Sequence, residues 1–338
     1  MKRFLAAALC AFGLATQVSA QTPPVDTVGA IRARGALLCG VTPNTIGFAS
    51  PDSRGVWRGL DADYCRAVAV TLFGDAEKVR FVPTTAQNRF TALQSGEVDL
   101  LVRATTWTLS REAQLGFLFA GVNYYDGNGF MVPRRLNLRS ARELDGASVC
   151  LQPGSTTELN VADYFRSNNM RLNPVLFENL EELRSAFAAG RCDSYASDTS
   201  TLAAFRAGLG DRGAEFVLLP EIFSKEPLGP VVRKGDFRFF DIVRWTHFAL
   251  LTAEELGISQ ANIDSFANST NPDVLRFLGR TGDLGRMMGV ENDFAVRIVR
   301  SVGNFGELWD RSVTPLGTPR GINNLWTRGG LMYAPPMR

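Results

Sequence analysis

Gly154-Ser155-Thr156-Thr157-Glu158 reads as a tight turn into a helix start. Helix starts expose unpaired N–H groups and the positive end of the dipole, which together hold an anion. Ser155 or Thr156 as an N-cap is a sufficient structural reason for the turn, and the cap and anion roles are compatible. Two other polar clusters, Thr105–Thr108 and Ser197–Thr199, each follow a short apolar run. Arg111 closes the first; a guanidinium is a planar fork that grips a carboxylate bidentately, as an ammonium cannot. Read for composition alone, Arg111 is a helix-start arginine among 32, and Asp198 in the second cluster is a cap for the helix that follows. Nucleophilic chemistry has little to work with. His247 is the sole histidine and lies in the apolar helical stretch Arg244–Leu250, there is no G-x-S-x-G elbow, and C-x-x-C is absent. The usual zinc ligand sets therefore cannot be assembled, and no metal or cofactor is expected. Glu158 is the obvious general-acid candidate, but its place in a first helical turn favours its anion.

Positioning these groups requires elements, and the chain repeats one set of them. Asn88–Val102 and Leu183–Tyr195 share a grammar about 94 residues apart: an amphipathic helix stopped by Gly96 or Gly190, a short strand, then a polar cluster. Upstream of each lies a strand–helix pair. Leu37–Val41 precedes a helix over Asp61–Leu72 that stops at Gly74, and Ala147–Leu151 precedes a helix from near Ser155. Alternating strands and helices predict an α/β fold with parallel sheets, here in two lobes of about 100 residues. Ligands of open α/β sheets sit beyond the carboxyl ends of the strands, where both polar clusters fall, facing a common cleft. Gly127-Asn128-Gly129 lacks the third glycine and the strand-to-helix context of a dinucleotide loop and reads as an extended crossover. Pro227–Pro230 marks a second crossover.

The 338 residues carry 36 Lys plus Arg against 34 Asp plus Glu. Residues 1–20 have the charged start, apolar run Phe4–Leu14 and Val18-Ser19-Ala20 ending of a cleavable signal peptide, too short to span a bilayer. Cleavage after Ala20 removes Lys2 and Arg3, leaving 34 against 34. A neutral chain without a basic block has no footprint for nucleic acid. Cys10 leaves with the leader. The remaining Cys39, Cys65, Cys150 and Cys192 permit two disulfides in any of three pairings, or buried free thiols. With Cys39 on a strand and Cys65 on its covering helix, and Cys150 and Cys192 on two strands of the second lobe, one bridge within each lobe is the economical arrangement.

Several stretches in order then resemble a known family: Gly59–Ala67, Arg89–Asp99, Thr105–Arg111, Gly154–Glu158, Ser224–Pro230 and the C-terminal Asn324–Pro336. They are similar to the polar amino-acid-binding proteins of bacterial ABC importers (extracellular solute-binding protein family 3), closest to the general L-amino-acid branch. The resemblance implies a type II periplasmic-binding-protein fold. Its two lobes, each a mostly parallel sheet flanked by helices, would be 26–126 with 228–338 and 127–227, with the ligand cleft between them. It implies no enzyme but a periplasmic monomer that closes on a free L-amino acid and delivers it to a membrane permease with its ATPase. Residue by residue, Arg111 matches the carboxylate-binding arginine and Thr106 a carboxylate clamp. Ser155 and Thr156 match the helix-start contacts, Asp198 the ammonium-binding aspartate, and Arg89 a position that meets an acidic side chain in some relatives. Ala104 stands where relatives often have serine. Phe48 and Trp107 are candidates for the pocket wall. The alternatives are a dehydratase-like enzyme on the same scaffold and a ligand-sensing module.

Overall fold

The computed structural model describes residues 26–338; the expected signal peptide 1–20, with Cys10 and the Ala20 cleavage site, lies outside the described residues. The chain forms two five-stranded sheets of identical plan. In the first, strand Leu37–Val41 lies between Val79–Pro83 and Leu100–Leu101, all parallel, and Val231–Arg233 then runs antiparallel between Leu100–Leu101 and Phe117–Phe119. In the second, Ser148–Leu151 lies between Asn173–Leu176 and Ser194–Asp198, again parallel, with Asn128–Pro133 antiparallel between Ser194–Asp198 and Phe216–Leu218. Each sheet receives its antiparallel strand from the chain that has just crossed over from the other sheet. The crossings pair with each other: Tyr124–Asp126 against Glu226–Leu228. The second crossover marked by Pro227–Pro230 thus contains a strand, with Pro227 inside it. The missing N–H is tolerated because Pro227 is needed there only as an acceptor, its carbonyl taking the Trp107 N–H at 2.8 Å.

Local chemistry explains the helix that covers the first sheet, Leu60–Phe73. Nearly every side chain along it is buried, and it stops at Gly74 in the left-handed region. It starts at Gly59, whose φ is 118° and where a Cβ would lie 2.3 Å from the Phe48 carbonyl oxygen, so no other residue fits. Helices Phe237–Glu255, Phe294–Val302 and Phe305–Ser312 form a further layer against it, burying Phe239, Ile298, Phe305 and Trp309 in one core with Tyr64 and Val68. The residues after about 250 therefore thicken the first lobe. Arg320 closes this layer with a two-pronged pair to Glu254 at 2.7 Å each. The second sheet is filled from both faces, Met131 to one side and Phe130 and Val132 to the other, the alternation of a half-buried strand made two-sided by helices.

Cys39 is bonded to Cys65 and Cys150 to Cys192, one bridge inside each lobe. Cys192 lies in the bend before strand Ser194–Asp198, not on a strand as the sequence suggested, because the helix Leu180–Ala188 needs Gly190 and the next residues to turn. His247 is 2 % exposed, tilted against Tyr64, and burial pulls its imidazole down to about 4. Between the unfolded value near 6.5 and about 4, the unfolded chain takes up this proton and the folded chain does not. Stability is therefore lost as pH falls through that window. Relative to His247→Gln, the wild type is expected to lose on the order of 2–3 kcal/mol between pH 7 and pH 4.5. Urea melts of both proteins at the two pH values measure it; parallel losses would remove His247 as the cause.

Candidate functional site

Between the two sheets the chain encloses a cavity walled by Thr42, Arg89, Arg103, Ala104 and Thr106 on one side and by Gln152, Ser155, Thr156, Ser197 and Asp198 on the other. Five of the six ligand-binding residues singled out from the sequence thus line one space. Arg111 stands a layer behind. Its Nη1 donates to the Thr106 carbonyl at 2.7 Å, and the guanidinium lies 5.1 Å from the centre of the Phe90 ring. A wider hollow near Ile46, Arg184 and Arg212 is open to solvent, and its buried arginine already donates to the Asn44 carbonyl. Arg184 Nε there and Arg89 Nε here are both buried without a partner; the smaller cavity adds Arg103 and Asp198 on facing walls.

Finite hydrogen-bonding capacity separates spent groups from available ones. Ser155 caps the helix Thr156–Ser167, accepting from the Glu158 N–H at 3.1 Å while donating to the Gln152 carbonyl at 2.7 Å. Its hydroxyl hydrogen is used, and what the helix start still offers is backbone N–H. Thr106 and Thr156 both donate to one oxygen of Glu226, at 2.5 and 2.9 Å. The other oxygen of Glu226 accepts from Asn160 at 2.7 Å and Ser224 at 2.8 Å. Glu226, 2 % exposed on the second crossover strand, is therefore saturated by four donors drawn from both lobes and the crossover. The sequence motif contained it without a role. Its position is set by the crossover ribbon, which no local pattern reveals.

Asp198 differs. Its Oδ1 accepts from Asn128 Nδ2 at 2.8 Å, and its Oδ2 has no partner among the described residues. The capping role that would explain it structurally is not used, because its side chain makes no cap bond to the helix Thr199–Gly208. Asp126 does that work, accepting from Thr199 Oγ1 at 2.5 Å and from the Ser200 and Gly127 N–H groups. Burial beside Asp126 and Glu226 pushes the Asp198 carboxyl well up, and Arg89 and Arg111 pull it back. A cation at the open oxygen would relieve this.

Opposite stand three buried guanidiniums. Arg89 makes no side-chain hydrogen bond among the described residues, and its Nε is sealed without a partner. Arg103 gives only its Nε, to the Thr84 carbonyl at 2.9 Å. Burial pulls Arg103 and Arg111 down to about 10 and Arg89 well below its ordinary value, with mutual repulsion adding to it at Arg89 and Arg103. The turn that presents Arg103 and Thr106 is strained: Ala104 has φ of 40°, a region a side chain rarely adopts. Buried Asp61 lies beside that turn, its Oδ1 accepting from Asn123 at 3.2 Å and its Oδ2 without a partner among the described residues. Arg103, Asp61 and Asn128 were not singled out from the sequence.

Some candidates fall away. Trp107 stacks on Phe119 at 5.5 Å and donates to Glu112, and Phe48 meets Tyr124 edge-on in the core, so neither forms the cavity wall. Glu158, the general-acid candidate, accepts from the Gly154 N–H at 2.9 Å and is off the wall. The lobes also touch outside the cavity, Thr85 to Glu178 at 3.3 Å and Arg184 to Asn44 at 2.8 Å.

Two matching α/β lobes joined by a two-strand crossover, with open cationic and anionic groups across the space between them, define a two-lobed binding protein of the type II periplasmic class. Residues 37–257 match the model of the bacterial extracellular solute-binding proteins, family 3, and the chain belongs to that family. It is 52 % identical to the general L-amino acid-binding periplasmic protein AapJ of Rhizobium johnstonii, over 99 % of each chain. It is also 52 % identical to the glutamate/glutamine/aspartate/asparagine-binding protein BztA of Rhodobacter capsulatus, over 93 % of this chain and 94 % of that one. A periplasmic binding protein from Brucella ovis, solved with glutathione bound, superposes with a TM-score of 0.90 at 52 % identity, covering 93 % of this chain and 100 % of that one. These relatives are binding proteins.

Proposed function

We propose that this protein is the periplasmic substrate-binding component of an ABC importer for L-amino acids, of broad specificity, and that it is not an enzyme. A free amino acid carries a carboxylate and an ammonium a few ångströms apart, and burying both requires a partner for each. One observation carries the reading: the open Oδ2 of Asp198 and the unpaired guanidiniums belong to opposite walls of one cavity. In this reading Asp198 takes the ammonium. Arg111, which spends one N–H on Thr106, takes the carboxylate with the remaining ones. Thr106, Ser155 and Thr156 contribute at the carboxylate through the strand end and helix start, and Arg89 reaches the side chain. The names of AapJ and BztA support an amino-acid ligand. The units that close are 26–126 with 228–338 and 127–227, swinging about the paired crossovers. A ligand that joins the two walls stabilises the closed form by its contacts to both.

The partners that follow are a membrane permease and its ATPase, with the binding protein acting as a monomer. No helix among the described residues is long and apolar enough to cross a membrane. Against catalysis stand Glu158, hydrogen-bonded away from the cavity, and His247, enclosed in the first lobe's core. Calorimetry of protein unfolded and refolded to strip bound ligand, against the twenty L-amino acids, is the test. Saturable one-to-one binding of several is expected; no binding, or turnover of any of them, would overturn the reading.

A further inference from the structure

Buried Glu226 sits where the parts of the site meet, on the second crossover strand Glu226–Leu228. That strand is tied to the first lobe by the bridge between Thr106 and Leu228 and by the Trp107 N–H at the Pro227 carbonyl. The Glu226 side chain nevertheless reaches the second lobe. One oxygen accepts from the Thr106 hydroxyl, at the first lobe's strand end, and from the Thr156 hydroxyl, at the start of the second-lobe helix Thr156–Ser167. The two hydroxyls are themselves 3.2 Å apart. The other oxygen accepts from Asn160, one turn further along that helix. Across the ribbon its register partner, Asp126, holds the start of a different second-lobe helix, Thr199–Gly208. Of the two carboxylates, Glu226 alone gathers side-chain donors from both lobes among the described residues.

We infer that Glu226 is a positioning residue for ligand retention: it fixes the gap between the first-lobe strand end and the second-lobe helix start, and so holds the lobes closed around a bound amino acid. The inference rests on the amino-acid reading above. Thr106 and Thr156 each have a single hydroxyl hydrogen, and both hydrogens are spent on the same oxygen. When the lobes part, that oxygen cannot keep both. Hydrogen bonds to a carboxylate are stronger than those between neutral groups, so their loss opposes opening. Charge alone acts in the other direction. Glu226 has the sign of the ligand's carboxylate, and removing that charge favours the incoming group. Bridging and charge therefore predict opposite outcomes for one substitution.

Calorimetry and stopped-flow tryptophan fluorescence of refolded protein with L-alanine and L-glutamate test this. Glu226→Gln keeps the side chain's shape, but its amide offers one oxygen to four donors. It is expected to bind both ligands about tenfold more weakly or worse, by the same factor, with nearly all of the loss in faster dissociation and association within about twofold. Glu226→Asp keeps the charge but is one methylene shorter, and is also expected to release both ligands faster. Tighter binding by Glu226→Gln would leave Glu226 only its charge and overturn the inference. An affinity loss carried by association, or a lowered melting temperature with unchanged dissociation, would reduce Glu226 to a structural role and overturn it too. If Glu226→Gln fails to fold, Glu226→Asp decides, and dissociation at the wild-type rate there overturns the inference while leaving the amino-acid reading intact. A wild type that binds neither ligand overturns both readings.

Discussion

Asp198→Asn is expected to weaken binding of every L-amino acid that the protein takes by about 100-fold or more, with little change in melting temperature. The substitution keeps the side chain's shape and an oxygen for the Asn128 bond, and removes the charge at the one unfilled carboxylate position on that wall. Losing a buried, hydrogen-bonded partner of an ammonium costs about 2–5 kcal/mol, so a loss of about 100-fold sits toward the low end. Stability should hold because Asp126, not Asp198, caps the helix Thr199–Gly208, and because burial beside Asp126 and Glu226 already disfavours the Asp198 anion in the empty site. Calorimetry of refolded wild type and variant with alanine, serine and glutamate measures the first quantity and a thermal melt the second. Unchanged affinity would remove the ammonium assignment; loss confined to one ligand would move Asp198 to the side-chain pocket.

Arg111→Ala is the second large effect, again expected to cost about 100-fold or more for all ligands, since a charge-assisted fork to a buried carboxylate is lost with no other cation reading that group. Part of the loss comes through Thr106, because Arg111 holds its carbonyl at 2.7 Å and so fixes the strand end whose hydroxyl meets Glu226. Arg111→Lys separates the two contributions. It keeps a charge behind Thr106 without the planar fork, and an intermediate loss is expected. If Arg111→Ala binds like the wild type, the ligand's α-carboxylate belongs to Arg89 and Arg103, and Arg111 serves only to set the Thr106 turn. Titrations of the three proteins against one neutral ligand distinguish these outcomes.

Much of the fold was legible because its signals are local. Glycines at 74, 96 and 190 end helices or follow their last turn by adopting the left-handed backbone, and such positions announce themselves in a sequence. The repeated helix–glycine–strand–polar unit announced two like lobes, and the carboxyl ends of strands Leu100–Leu101 and Ser194–Asp198 placed polar residues at the cleft. The additions beyond residue 250 were less legible. Their helices are recognisable, but their destination on helix Leu60–Phe73 depends on complementary surfaces far apart in the chain. The site divided in the same way. Resemblance of short motifs marked Arg111, Thr106, Ser155, Thr156, Asp198 and Arg89. Trp107 was drawn away from the cavity by a stacking partner, Phe119, that its own motif does not contain.

By itself, then, the sequence determined the types of chemistry available: forks for anions, a helix start, an aspartate in a polar cluster, four cysteines and one histidine in an apolar setting. Those are properties of side chains and of nearest neighbours along the chain. The tertiary structure alone decided which of these groups are already used. Glu226 is saturated because Thr106, Thr156, Asn160 and Ser224 meet at it from three separate segments, and Asp198 is open because Asp126 crosses from the first lobe to cap the helix instead. Hydrogen-bonding capacity is finite and is filled by partners that folding brings from anywhere in the chain. Availability for a ligand is therefore a property of the folded molecule, while chemical identity is written residue by residue.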